Sequence, residues 1–206
     1  MEYALLGFFA GLSLILVLGA QNIFVIEQGL KKQHIFLVCL ICSVSDLILI
    51  FLGIFLFHYF NQLFNQTVEL ILNILLILFL LHFIYTKLKT HYSEINFSND
   101  LTNISKINIF IKTLGFTYLN PHVYSDTVFF LGNFSKNYLL NQKIAFGIGA
   151  AIASFLFFFA LGYLSNYLSK YAKSKKVWRV INIFIITFMS ILVLYIIKEI
   201  LWMIFM

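Results

Sequence analysis

Charge is scarce in this chain. Asp, Glu, Lys and Arg make up 11% of its 206 residues, where a soluble globular domain carries about a quarter. With 62% hydrophobic residues and 25 Phe, that shortage excludes a water-soluble fold, because no such surface escapes apolar patches that aggregate. Cysteine is limited to Cys39 and Cys42, both inside an apolar run, which excludes an exported disulfide framework. No G-x-x-x-x-G-K-[ST] stretch occurs, so the chain does not hydrolyse ATP through a P-loop. The basic residues lie in short tracts between apolar spans and form no phosphate-binding face. Nucleic acid is therefore not the expected partner, despite a net charge of +6. Proline occurs once, as Pro121.

What remains is lipid-soluble helix. A span needs about 20 apolar residues to cross the hydrocarbon core, and six segments offer that, at about 4–26, 35–58, 68–86, 108–134, 143–165 and 178–200. Lipid gives backbone groups no partner, and no barrel-like alternation is present, so the expected fold class is an all-α integral membrane protein with six transmembrane helices. The first 26 residues have no basic leader, since Glu2 is acidic, and the first span is read as retained. Of the Lys and Arg residues, 11 fall in loops one, three and five and 3 on the other side. That bias places the odd-numbered loops in the cytoplasm and both termini outside. A fourth span that re-entered without crossing would change the side of the C-terminus.

The polar stretch 87–107 divides a first three-helix half, 1–86, from a second, 108–206. The halves share a faint pattern. Setting Ala20 against Pro121 aligns Gln21 with His122, and setting Gly53 against Gly162 aligns Ser45 with Ser154. Three spans per half make the copies antiparallel, so the expected plan is two inverted repeats with discontinuous spans one and four, as in many secondary transporters. The second break is legible in "TYLNPHVYSD", 117–126. Asn120 is a helix N-cap and Pro121 a first helical residue, where a missing N–H costs nothing. The half-helix so begun would point its positive end at a cavity; an ordinary proline kink is the alternative.

Asp46 and Asp126 lie within apolar runs that contain no Lys or Arg near them. A charge at the bilayer centre costs at least about 2.5–3.5 kcal/mol, so such carboxylates face a cavity or a partner. The partner here is a cation, a proton, or each in turn; a protonated carboxyl bonded to Asn22 or a serine is the structural alternative. Cys39, Ser43, Asp46 and Gly53 share one narrow face of the second span. The C-x-x-C formed by Cys39 and Cys42 suits a thiol–disulfide carrier or a soft-metal site, but buried cysteines more commonly serve as small hydrophobes. The histidines have no metal-ligand spacing, and neither a metal nor a cofactor is expected. Glu69 and Asn73, one turn apart, suit a solvated helix end or an outer vestibule.

Four segments, "GAQNIFVIEQGLKKQH", "SVSDLILIFLGIF", "TYLNPHVYSDTVFFLG" and "VWRVIN", resemble the lysine and arginine exporters of the LysE/ArgO family, in the same order and spacing. The family pattern in the first half is Gly-Pro-Gln-Asn, and here it reads Gly19-Ala20-Gln21-Asn22, so a break in span one rests on Gly19. The resemblance implies a multi-pass exporter of cationic amino acids in the bacterial inner membrane, not an enzyme. Exchange of one cationic amino acid for one proton moves no net charge, and Asp46 and Asp126 are the groups for that exchange. The half-helix starts at Asn22 and at Asn120–His122 would take the substrate's α-carboxylate, with Gln21 and Tyr124 as hydrogen-bonding groups. The partners so implied are the amino acid, protons and the lipid bilayer, and a homo-oligomer is compatible with them. Competing expectations are export of a divalent cation or neutral amino acid, electron transfer through Cys39 and Cys42, and an acid-pair protease.

Overall fold

The structure, a computed structural model, describes residues 1–16, 19–63, 66–92, 105–171 and 175–205. In order these form α1 (Glu2–Ile15), α2 (Ala20–Lys31), α3 (Ile35–Leu63), α4 (Gln66–Tyr92), α5 (Lys106–Tyr118), α6 (Pro121–Tyr124), a π-helical segment (Ser125–Phe130), α7 (Leu131–Ser135), α8 (Leu140–Leu168) and α9 (Lys175–Phe205). No strand occurs among the described residues. Within them, Ile35–Phe57, Gln66–Tyr85, Leu140–Leu168 and Arg179–Lys198 are each long and apolar enough to cross a bilayer. The pair α1 and α2, bent by 82°, supplies a fifth if counted as one span. This is an all-helical, multi-pass membrane protein. The last helical turns of α4 run into the polar stretch as far as Tyr92, and 93–104 lie outside the described residues.

Both expected breaks are present. α1 stops at Ile15 and α2 starts at Ala20, with Gly19 extended at φ −113° and ψ −178°. Any residue adopts that conformation, so the missing family proline is not needed for the break. In the second half, α5 stops at Tyr118 and α6 starts at Pro121. One side chain splices each break. Asn22 Nδ2 donates to the Ile15 carbonyl at 3.0 Å, and the Tyr124 hydroxyl donates to the Tyr118 carbonyl at 3.0 Å. Each reaches from the later half-helix to a carbonyl left open at the end of the earlier one.

Packing exchanges elements between the halves. α1 and α2 lie on α8, α5, the π-segment and α7 lie on α3, and the pairs α3–α8 and α4–α9 close the bundle. Lipid supplies no hydrophobic drive between helices, so close approach by small residues has to hold them. At the α1–α8 crossing, a Cβ on Gly7 would strike the Phe146 backbone, and one on Gly149 the Ala4 backbone. At the α3 crossing, a Cβ on Gly53 would meet the Val128 carbonyl at 2.6 Å, and one on Gly132 the Gly53 carbonyl at 2.6 Å. The small-residue face predicted on span two thus serves contact at Gly53 and also at Cys39, whose thiol donates to the Phe158 carbonyl at 3.2 Å.

Candidate functional site

The two broken helices, α3, α4, α8 and α9 enclose a cavity of about 550 Å³. That falls in the roughly 300–1,000 Å³ range of small-molecule sites. Seven residues singled out from the sequence line it: Gly19, Gln21, Asn22, Asp46, Asn120, His122 and Asp126. Both carboxylates therefore face one space, although they come from different halves of the chain. Their surroundings differ. Asp46 is buried, and its Oδ2 accepts a 2.8 Å hydrogen bond from Ser154 Oγ on α8. Asp126 sits partly exposed in the first turn of the π-segment, in electrostatic reach of His122. The His122 ring lies 6.2 Å from Tyr195 of α9.

A π-turn holds one more residue per turn than an α-turn and is frequent at functional sites. Thr127 Oγ donates to the Val123 carbonyl at 2.6 Å, satisfying one backbone acceptor in the altered ladder. The lining also includes aliphatic and aromatic residues, with Leu76 and Leu80 from α4 and Phe188 and Leu192 from α9. Among the described residues, no Asp or Glu other than Asp46 and Asp126 lines the cavity, and no Lys or Arg does. The space can therefore take a cation against its carboxylates and an alkyl chain against its apolar lining.

The two half-helix starts differ in what they leave free. Asn120 accepts at Oδ1 from the His122 N–H at 3.1 Å, the capping geometry its sequence position predicts. α2 starts at Gly19, which has no side chain to cap with. The buried Nε2 of Gln21 beside it has no partner, and a helix N-terminus favours an anion. Capping has a measurable consequence. Asn120→Ala should cost about 1 kcal/mol, which lowers the melting temperature in detergent by about 2–4 °C, while Asn120→Ser, an equally good cap, should melt close to wild type.

The LysE type translocator family model matches residues 12–200. The chain belongs to that family. As a LysE type translocator it is similar, at 37% identity over 185 residues, to a protein of Pectobacterium atrosepticum named arginine exporter protein ArgO; the match covers 87% of this chain and 88% of the relative. A Klebsiella pneumoniae protein of the same name is 35% identical over 184 residues, covering 88% and 86% respectively. One from Salmonella typhimurium is 34% identical over 187 residues, covering 89% and 88%. No solved structure matches the translocator.

Within this LysE type translocator, Tyr124 braces the second break and does not line the cavity, and Pro121 marks the backbone start of α6. The side chains of Pro121, His58 and Glu69 are outside the described set. Asn73 is fully buried, contrary to a solvated helix end, with neither amide atom partnered. Sequence reasoning singled out no member of the α4 and α9 wall, because Leu and Ile that line a cavity have the same composition signal as those that face lipid.

Proposed function

We propose that this translocator exports basic amino acids, arginine or lysine, across the bacterial inner membrane in exchange for protons. The observation that carries the reading is the cavity: two carboxylates from opposite halves of the chain and, among the described residues, no Lys or Arg face one space of substrate size. Names of the relatives support the substrate class. The side-chain cation would sit at Asp46 and Asp126, and the α-carboxylate at the uncapped start of α2 with Gln21. The odd-numbered loops would face the cytoplasm, and the halves 1–86 and 108–206 would rock about the shared cavity.

Energetics favour coupling. Moving a +1 substrate out of a negative interior costs about 2.3 kcal/mol per 100 mV, and a one-for-one exchange with a proton cancels that cost. Bacteria lacking basic amino acid exporters, loaded with arginine- or lysine-containing dipeptides, should release the free amino acid only when the chain is present. Release equal to an empty vector for both amino acids would remove the substrate claim. Release that persists after collapse of the proton gradient at fixed membrane potential would remove the coupling.

Cys39 and Cys42 are free and buried, and small hydrophobic packing is their role in this reading. Replacing both by Ala should leave efflux within about twofold of wild type, whereas an electron carrier would lose all activity. Among the described residues, no three His, Cys, Asp or Glu are grouped to hold a metal ion.

A further inference from the structure

Below the cavity, toward the Lys31 end of α2, three helices each place a phenylalanine about one turn beyond a cavity residue, and two of them place a charge beyond that. On α2, the cavity residues Gln21 and Asn22 are followed one turn on by Phe24, then by Glu27 and Lys31. On α4, the cavity residue Leu80 is followed by Phe83. On α5, read backward from the cavity residue Asn120, comes Phe116 and then Lys112. The phenylalanines meet. Phe116 stacks on Phe24 at 4.6 Å and takes Phe79 and Phe83 edge-on at 4.8 and 5.1 Å. Phe24, Phe83 and Phe116 are all buried, so an apolar floor lies about one turn beyond the cavity residues.

A charge pair lies on the far side of that floor. Glu27 is buried at 2% exposure and ion-paired with Lys31, which is 27% exposed. Lys112 lies in electrostatic reach of both. On the adjoining face of α2, Gln28 is buried with Oε1 unpartnered, and Ser169 at the end of α8 is buried with Oγ unpartnered. Apolar residues of similar shape would close this end of the bundle at no greater cost than a buried ion pair. Buried polar groups left unsatisfied in a closed state are in place for hydration, or for a polar ligand, in an open one.

The geometry points to a gate between the cavity and the Lys31 side, with Glu27 as the selectivity carboxylate that exchanges Lys31 for an incoming cationic amino acid. This inference rests on the proposed function for its ligand, but the gate itself does not. On opening, Phe116 leaves the Phe24 face, and Glu27 takes the ammonium or guanidinium group while Lys31 swings to solvent.

The gate is tested first. In a Cys39→Ala background Cys42 is the sole thiol, buried close to Gln21 and Thr117 of α5. An impermeant thiol reagent applied to oriented vesicles should modify it at least tenfold faster in Phe116→Ala when added on the Lys31 side, and at the wild-type rate from the other side. Phe116→Leu should give an intermediate rise on the same side. No rise, or an equal rise from both sides as general loosening would give, overturns the gate. For selectivity, Glu27→Gln should raise the Lys31-side KM for arginine and lysine about tenfold with kcat kept, Glu27→Asp should restore it, and Lys31→Gln should lower it. Shifts of Glu27→Gln and Lys31→Gln in the same direction would mark the pair as structural and overturn the role of Glu27. A wild type that moves neither amino acid but labels from one side only would keep the gate and remove the exporter reading. A wild type that exports both but labels equally from both sides in Phe116→Ala would do the reverse.

Discussion

Asp46→Asn should export basic amino acids at least tenfold more slowly than wild type at equal membrane abundance. Asparagine keeps the size of aspartate, and its amide oxygen can still accept from Ser154 Oγ, which now donates to the carboxylate at 2.8 Å. The substitution therefore removes the charge and the exchangeable proton while retaining the contact with α8. A hydrogen bond to a charged group is worth about 1.5–3 kcal/mol, so losing its charged member predicts about a 10- to 100-fold effect. Efflux of the loaded dipeptide's amino acid, normalised to immunoblotted protein, gives the number. Ser154→Ala is the informative companion. If Asp46 only ties α3 to α8, the serine variant should hurt as much as the asparagine variant or more. If the carboxylate handles the cargo, Ser154→Ala should show the smaller loss.

Gly149→Leu should leave little assembled protein in the membrane. α1 crosses α8 so closely that a Cβ at this position would strike the Ala4 backbone, and backbone has no rotamer by which to retreat. Forcing side-chain volume into a packed contact costs about 1–3 kcal/mol when neighbours can adjust, and here the obstacle is main chain. Ile148→Leu, one residue away and 47% exposed toward lipid, should accumulate like wild type. Quantitative blotting of the membrane fraction, with fluorescence-detected gel filtration in mild detergent, separates the two. Equal abundance of both variants would mean that the α1–α8 crossing is not the contact that holds the first span.

Legibility in the sequence followed the range of the interaction. Asn120 and Pro121 announced the second break because capping is local chemistry, settled within three residues. Asp46 and Asp126 stood out because a carboxylate in an apolar run demands an explanation, and both do face the cavity. A bond from Asp46 to Asn22 or a serine was the structural alternative to an external cation or proton. That the bonded residue is Ser154 depends on how α3 meets α8, which no local signal encodes. Asn120 and Gly19 were both expected at helix starts, and of the two only Asn120 has a side chain with which to cap. The π-helical form of Ser125–Phe130 had no sequence signature, because one extra residue in a turn changes backbone register without changing composition. Glu27 was overlooked as one acid in a polar-looking stretch, and its burial comes from α2 folding against neighbouring helices.

The shortness of α1 bears on how the protein is made. Fourteen residues of helix reach about 21 Å, well short of a hydrocarbon layer about 30 Å thick. A nascent first segment of that length cannot settle as an independent span, and its broken end exposes peptide groups that lipid will not satisfy. The surface that completes it is α8, synthesised more than a hundred residues later. α1 thus waits for a helix made long after it, and until α8 arrives the segments before it form an intermediate in need of shelter by the insertion machinery.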